Sequence, residues 1–240
     1  MRTSEEAENR GSVIRLLGGV AVKVRARDGL DPAFERRYND LDWIVPRGAS
    51  GETQKLFESL GYRPQVRFNA IYGSERLLFH DDENGRQVDV LVGSFRMCHE
   101  IRFGNRLALE PVTIPLAELL LTKLQIIELN EKDVKDTFAI LYDHPVEEAD
   151  GDAVNGAHIA RLCASDWGLW RTFTGNLEAL EGWIDNYDLD DEGKRRIRAG
   201  VEVLRERIER EPKTFTWKAR SAIGERKRWY DLPEEVEGGP

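Results

Sequence analysis

The sequence is short of cysteine and of long apolar runs, and each shortage excludes a class of protein. Its 240 residues include two cysteines, Cys98 and Cys163, which lie far apart and lack a metal-ligand spacing. This pattern is typical of a reducing compartment. No run approaches the ~18 apolar residues of a membrane span, and the polar N-terminal stretch has no apolar signal region. We therefore expect a cytoplasmic protein without a membrane partner.

The net charge of −9 argues against a protein that coats nucleic acid, but the charge is unevenly spread. Residues 194–228 carry 13 Lys/Arg against 5 Asp/Glu, a local charge of +8. Aromatic residues lie among or directly after these cations: Phe215, Trp217, Trp229 and Tyr230. Such a mixture suits a dock for single-stranded nucleic acid. The alternative is that the aromatic rings seal the helical region onto the core while the cations face water.

Periodicity predicts a chain that changes from mixed structure to helices. Strand patterns lie at 40–45, 66–73, 75–80, 86–93 and, as one or two short strands, within 101–115. Helical patterns lie at 12–26, 52–62, 115–144 and through most of the chain after residue 152. We therefore expect an α/β (α+β) fold, in which a mixed sheet flanked by helices (10–115) precedes a C-terminal helical region (116–235).

Two aspartates lead into an apolar strand in "RRYNDLDWIVP". Residues two apart in a strand point to the same face, so Asp40 and Asp42 project together and repel each other. A divalent cation such as Mg²⁺ would relieve that repulsion. Asp89 lies among valines in "QVDVLVG", where a lone carboxylate is costly, and it could complete a three-carboxylate metal cluster. The alternatives are that Asp40 and Asp42 cap a surface edge, and that Asp89 pairs with Arg86 or Arg106.

A glycine pair precedes the aspartate strand. Gly18 and Gly19 would let the backbone approach a phosphate, and exposed N–H groups there could bind an anion, although a simple turn is an equally ordinary use of such a pair. The four histidines lie apart without ligand spacing, so we interpret them as structural or surface residues. The serines near turns have no visible histidine partner, which excludes a hydrolase triad.

These motifs together resemble a known group. "LLGGVAV", "RRYNDLDWIV" and "VDVLVG" are similar to the nucleotidyltransferase fold shared with DNA polymerase beta. The closer resemblance is to AbiEii-type nucleotidyltransferases, known from toxin–antitoxin and phage-abortive systems. That group continues with a lysine-bearing helix and a Lys-Asp-x-x-Asp helix, matched here by "LLLTKLQI" and "EKDVKDTFAIL". The likeness spans about residues 14–141.

The resemblance implies an Mg²⁺-dependent transfer of a nucleoside monophosphate from an NTP to a hydroxyl acceptor. It assigns the triphosphate to Gly18 and Gly19, the metal to Asp40 and Asp42, a third carboxylate and base to Asp89, a phosphate contact to Lys123, and the cleft lining to Asp133 and Asp136. Two departures stand out. The interval between Gly19 and Asp40 is longer than in compact members, which indicates an inserted loop, and Val20 replaces a small or hydroxyl residue.

Other interpretations of the same residues stay open. Asp133 and Asp136 could be solvent-facing charges beside neighbouring lysines, and Lys123 could extend its ammonium group to the surface. The chain could also be a degenerate copy of the fold that binds a nucleotide or a partner protein, or one component of a toxin–antitoxin pair. The sequence leaves the NTP open, and the acceptor could be RNA docked on residues 194–228, a protein or a small molecule.

Overall fold

A mixed five-stranded sheet organises the first half of the molecule. The computed structural model describes residues 2–232; the end of the predicted helical region, residues 233–235, lies outside the described residues. The strands are β1 (Arg15–Leu17), β2 (Asp40–Val45), β3 (Arg63–Pro64), β4 (Arg76–Asp81), β5 (Arg86–Val92), β6 (Ser94–Arg96), β7 (Glu100–Arg102), β8 (Val146–Glu147) and β9 (Val154–Asn155). The first five form one sheet in the order β1-β2-β5-β4-β3, with β2 and β5 parallel and the other pairs antiparallel.

Helices flank this sheet and form most of the second half of the chain. Within residues 2–232 the α-helices are α1 (Arg2–Asn9), α2 (Gly18–Arg25), α3 (Ser50–Ser59), α4 (Val66–Tyr72), α5 (Leu116–Leu124), α6 (Glu131–Asp143), α7 (Gly156–Ser165), α8 (Trp167–Glu181), α9 (Asp191–Arg210) and α10 (Phe215–Ile223). Short 3-10 helices occupy Pro32–Phe34, Gly104–Ala108, Ile184–Asn186 and Gly224–Arg226. The α/β class, the mixed sheet and the C-terminal helices are confirmed.

The strands that carry the candidate carboxylates form where their patterns predict them. The 40–45 strand coincides with β2, and the Asn84-Gly85 turn joins β4 to β5, with Gly85 at a φ of 63°. The Asp81 carboxylate accepts a hydrogen bond from the backbone N–H of Asn84 at 3.1 Å, which closes this turn. The hairpin therefore fixes β5 against β4 and leaves its other edge free to pair with β2.

Two predicted elements were wrong. The strand predicted over 66–73 is helix α4 (Val66–Tyr72), because buried Asn69 bonds both backbone groups of Leu78 on β4, at 3.1 Å and 2.7 Å. The side chain of Asn69 thereby satisfies backbone groups at the edge of β4 that β3 does not pair with. The helix predicted over 12–26 begins only at Gly18, because residues 15–17 pair with β2 as strand β1.

One continuous hydrophobic core extends through both halves of the chain. It includes Phe57 and Phe79 beside the sheet, whose rings stack 4.9 Å apart, and Phe138 and Leu177 in the helical half. The predicted stripe on α9 also faces this core and is buried: Ile197, Val201, Leu204 and Ile208. The boundary between 115 and 116 stays a prediction. None of the helices within residues 2–232 is both long enough and apolar enough to cross a membrane.

Candidate active site

The glycine pair begins helix α2 directly beside the aspartate strand. The antiparallel register of β1 and β2 pairs Leu17 with Asp42, so the next residue, Gly18, lies against the Asp42 side chain. Gly18 has a φ of 71°, which side chains rarely adopt, and a Cβ atom built on it would overlap Asp42 Oδ2. The first turn of α2 therefore lies directly against the carboxylate. A helix start presents free N–H groups that can bind a phosphate, and the adjacent carboxylate is placed to bind the cation of that phosphate.

The third carboxylate is adjacent to this pair but already has a partner. In the parallel register of β2 and β5, Asp42 lies opposite Asp89, and side chains paired in this way point to the same face of the sheet. Arg76 on β4 holds Asp89 through its Nε, 2.8 Å from Oδ1, and through Nη2. Asp89 is 8% exposed. The alternative partners considered from the sequence, Arg86 and Arg106, bind Asp81 and Glu118 instead.

Lys123 lies in a buried ion-pair network. Its Nζ is 2.7 Å from Asp136 Oδ2 and 3.3 Å from Asp133 Oδ1, and the residue is only 9% exposed. Asp136 is 2% exposed and also binds Arg36 through two hydrogen bonds of 3.0 Å and 2.8 Å. Lys123 therefore does not extend to the surface, and Asp136 is not a solvent-facing charge. The side chain of Asn130 caps helix α6 and fixes its first turn beside Lys123.

These parts meet at a cavity of about 150 Å³. Six of the lining residues come from the glycine turn, the aspartate strand and the ion-pair network: Gly19, Asp40, Asp42, Arg36, Lys123 and Asp133. Of the predicted site residues, Gly18 contacts the cavity wall through Asp42, whereas Asp89 and Asp136 lie behind it. The cavity brings carboxylates and cations together from two stretches that are far apart in sequence, residues 36–42 and 123–133.

Sequence reasoning missed the loop that completes the cavity. Arg36 and Tyr38 belong to the long interval between Gly19 and Asp40, which we interpreted only as an insertion. A Cβ atom built on Gly19 would overlap Arg36 Nη2, so the guanidinium group lies directly on the glycine backbone. The signal available in the sequence was the pair of arginines that precedes the aspartates in "RRYNDLD". Arg76, on the neighbouring strand, had no such signal.

Asp42 has an excess of negative charge around it. Burial first, and then the charges of Asp40 and Asp89, raise its pKa to about 7, against the lowering effect of Lys123 and Arg76. A carboxyl group with this environment favours either a proton or a cation. The oxygen-only donor set formed by Asp40 and Asp42 suits Mg²⁺, so these residues fit the implied metal. Within residues 2–232, no three His, Cys, Asp or Glu side chains are grouped as a metal site.

Two of the four aromatic residues of the basic C-terminal region pack against the protein. Trp217 packs edge-on against Trp170 with ring centroids 5.1 Å apart, and Trp229 donates a hydrogen bond from Nε1 to Thr172 at 3.1 Å. Phe215, by contrast, is 85% exposed. Two of the four rings therefore seal the C-terminal segment onto α8, as the alternative interpretation expected.

Replacing Gly18 with alanine should strongly reduce any activity of this site. The new Cβ atom would combine an unfavourable positive φ with an overlap on the Asp42 carboxylate. Gly11 is a matched control, because it has a φ of 68° and open space around its Cβ position. Gly11→Ala should lower the free energy of unfolding, measured by urea denaturation, only by the cost of a side chain at positive φ, roughly 1 kcal/mol. Equal losses of stability and function in the two variants would contradict the close approach of Gly18 to Asp42.

No family model matches the sequence. No curated protein matches it either. Among solved structures, the chain is similar to the solution structure of the antibiotic-resistance factor ANT(2'')-Ia, with 15% identity and a TM-score of 0.32 over 92% of this chain and 90% of that chain. Two backbones at this TM-score differ substantially, and the likeness carries no conclusion about function.

Proposed function

We propose that this chain is an Mg²⁺-dependent nucleotidyltransferase of the AbiEii type, which transfers a nucleoside monophosphate from an NTP to a hydroxyl acceptor. The observation that carries the proposal is the single cavity at which a glycine-started helix, two strand carboxylates and a buried lysine meet. Anion-binding backbone, cation-binding carboxylates and a fixed positive charge are the groups that phosphoryl transfer needs.

Each group has a role that follows from its position. The N–H groups at Gly18 and Gly19 bind the triphosphate, and Lys123, fixed by its two aspartates, offsets charge on the phosphates. Asp40 and Asp42 would hold Mg²⁺, which when bound supplies Lewis acidity to the triphosphate. The acceptor oxygen forms a bond to the α-phosphorus as the bond to the bridging oxygen breaks, and pyrophosphate leaves.

Asp89 is the candidate acceptor of the proton that the attacking hydroxyl loses. A general base must come within hydrogen-bond reach of that proton. Both carboxylate oxygens of Asp89 now receive hydrogen bonds from Arg76. This assignment therefore requires the Arg76 side chain, which is one-third exposed, to move aside when the acceptor binds.

The test is label transfer from each of the four α-³²P NTPs to total RNA, to proteins and to small hydroxyl compounds, with and without Mg²⁺. We expect one or more NTPs to label an acceptor class. The Asp40→Asn/Asp42→Asn double variant should label it at least ~100-fold more slowly, because it no longer holds the Mg²⁺ that offsets the charge of the triphosphate. Asp188→Asn is the matched control, since Asp188 is exposed on the helical half. Equal labelling by the wild type and the double variant would refute the proposal.

The Arg76–Asp89 ion pair favours a second candidate function. If the pair does not open, the chain binds an NTP without turnover, as a degenerate copy of the fold that serves a regulatory or toxin–antitoxin role with a partner protein. Calorimetry would then show NTP binding in the absence of label transfer. Arg76→Gln separates the two functions, because it frees Asp89: activity appearing in this variant alone would identify Arg76 as an inhibitory side chain.

RNA is the first acceptor class to examine, because residues 194–228 carry a local charge of +8 and Phe215 is exposed. The inward packing of Trp217 and Trp229 leaves less aromatic surface for bases than the sequence alone indicated. A protein or a small molecule as the labelled acceptor would move the acceptor dock away from this region.

A further inference from the structure

A second cavity adjoins the first on the far side of Arg36 and Tyr38. Its volume is about 310 Å³, and its lining residues are Lys23, Leu30, Glu35, Arg36 and Tyr38. Arg36 and Tyr38 line both cavities. A volume of this order is in the range of small-ligand sites. The shared residues make the two cavities neighbours, and the first of them also contains Gly19.

The guanidinium group of Arg36 stacks on the Tyr38 ring in this wall. The guanidinium carbon of Arg36 lies 4.5 Å from the centroid of the Tyr38 ring, and Lys23 Nζ lies 5.6 Å from it. Arg36 is fixed at its other end by two hydrogen bonds to Asp136. Aromatic rings and guanidinium planes are the surfaces on which nucleobases stack. The platform therefore exists before any ligand binds.

The loop that carries the platform is anchored in the core. Phe34 is 1% exposed and packs edge-on against Tyr142, with centroids 5.7 Å apart. Asp31 caps the 3-10 helix that contains Phe34 by accepting a hydrogen bond from the Ala33 N–H at 2.8 Å. These contacts fix residues 31–34, which directly precede the platform. A loop anchored in this way can position a ring with little entropic cost on binding.

The rim of the cavity offers one donor and one acceptor. Lys23 and Glu35 are both exposed, carry opposite charges and line this cavity together with Arg36 and Tyr38. A nucleobase presents hydrogen-bond donors and acceptors along its edge, and the pattern differs between bases. A lysine and a carboxylate at the rim can therefore distinguish bases once the ring is stacked.

We propose that the cavity formed by Lys23, Leu30, Glu35, Arg36 and Tyr38 is the nucleobase subsite of the NTP, with Tyr38 as stacking platform and Lys23 and Glu35 as specificity-determining residues. The inference rests on the proposed function, because it places the triphosphate at Gly18 and Gly19. The base then lies on the other side of the Arg36–Tyr38 wall. The long interval between Gly19 and Asp40 is therefore a functional part of the site.

The experiment measures dissociation constants for four non-hydrolysable NTPs and for inorganic tripolyphosphate, with Mg²⁺, by calorimetry on the full chain. Tyr38→Ala should weaken NTP binding roughly 5- to 100-fold, the range expected for the loss of one base–aromatic stack, and weaken tripolyphosphate binding by a much smaller factor. Tyr38→Phe keeps the ring and should bind like the wild type. Glu35→Gln and Lys23→Met should change the order of preference among the four NTPs without changing tripolyphosphate binding.

Three results would overturn the subsite. Tyr38→Ala could bind all four NTPs as the wild type does, Tyr38→Ala could lose tripolyphosphate as strongly as NTPs, or the order of NTPs could stay the same in both rim variants. In each case the wild type still binds tripolyphosphate and NTPs, so the proposed function survives. If the wild type binds neither, the proposed function fails and the subsite fails with it.

Discussion

Replacing Asp136 with asparagine should destabilise the protein by about 3 to 5 kcal/mol, the usual cost of removing one partner from a buried ion pair. Asp136 is 2% exposed and is the shared partner of Lys123 and Arg36. The variant leaves both cations buried beside a neutral amide, which cannot offset their charge. Urea denaturation should show a lower midpoint with an unchanged slope, because the surface exposed on unfolding stays the same.

Asp133→Asn is the matched control, because Asp133 is on the same helix and makes one longer contact with Lys123, 3.3 Å. We expect it to cost less than about 1 kcal/mol, as partly exposed pairs usually do. A loss of similar size in both variants, or a stable Asp136→Asn protein, would show that the network does not hold the two cations.

The stability that the Lys123–Asp136 ion pair contributes depends on pH with a definite sign. Burial lowers the pKa of Lys123, but the charges of Asp136 and then Asp133 raise it above its ordinary value. A raised lysine pKa stabilises the fold fully below the unfolded value, about 10.4. That stabilisation is lost as pH rises through the folded pKa. The difference in the free energy of unfolding between the wild type and Asp136→Asn should therefore become smaller only in strong alkali.

Replacing Asp42 with asparagine should stabilise the metal-free protein while removing its response to Mg²⁺. The pKa of Asp42 is raised to about 7, chiefly by burial and then by Asp40 and Asp89. A raised carboxyl pKa means that the folded state binds more protons than the unfolded state, so stability falls as pH rises from about 4 to about 7. Asparagine carries no charge, so at pH 8 the free energy of unfolding of the metal-free variant should exceed that of the wild type by roughly 2 to 4 kcal/mol.

The measurement is a set of thermal unfolding scans in EDTA and in Mg²⁺ at pH 5 and pH 8. The gain of Asp42→Asn over the wild type should be large at pH 8 in EDTA and small at pH 5. Mg²⁺ should raise the melting temperature of the wild type, since a ligand that binds only the folded state stabilises it, and should leave the variant unchanged. A variant less stable than the wild type at pH 8 in EDTA would contradict the charge excess at Asp42.

The sequence predicted the elements that carry the carboxylates because their local signals agree with the fold. The apolar run after Asp42 and the Asn84-Gly85 turn set β2 and β5 correctly. The register that pairs Asp42 with Asp89 could not be read from either strand alone, because it depends on their parallel contact. The same holds for Arg76, whose role follows from the pairing of β4 with β5.

The errors and omissions arose where tertiary contacts outweigh local pattern. Residues 15–17 have the apolar character of a helix, but pairing with β2 makes them a strand that ends at Gly18. Residues 66–72 alternate like a strand, yet Asn69 draws them into a helix at the β4 edge. The loop that brings Arg36 and Tyr38 to the cavity has no periodicity at all, so its importance was visible only in three dimensions.

The most direct test of the central claim is a crystal structure of the protein with Mg²⁺ and a non-hydrolysable NTP. The account predicts the metal between the Asp40 and Asp42 carboxylates, the triphosphate on the N–H groups of Gly18 and Gly19, and the Lys123 ammonium group facing a phosphate. A nucleotide bound elsewhere, or a triphosphate that touches none of the glycine turn, Asp40 and Asp42, would contradict it.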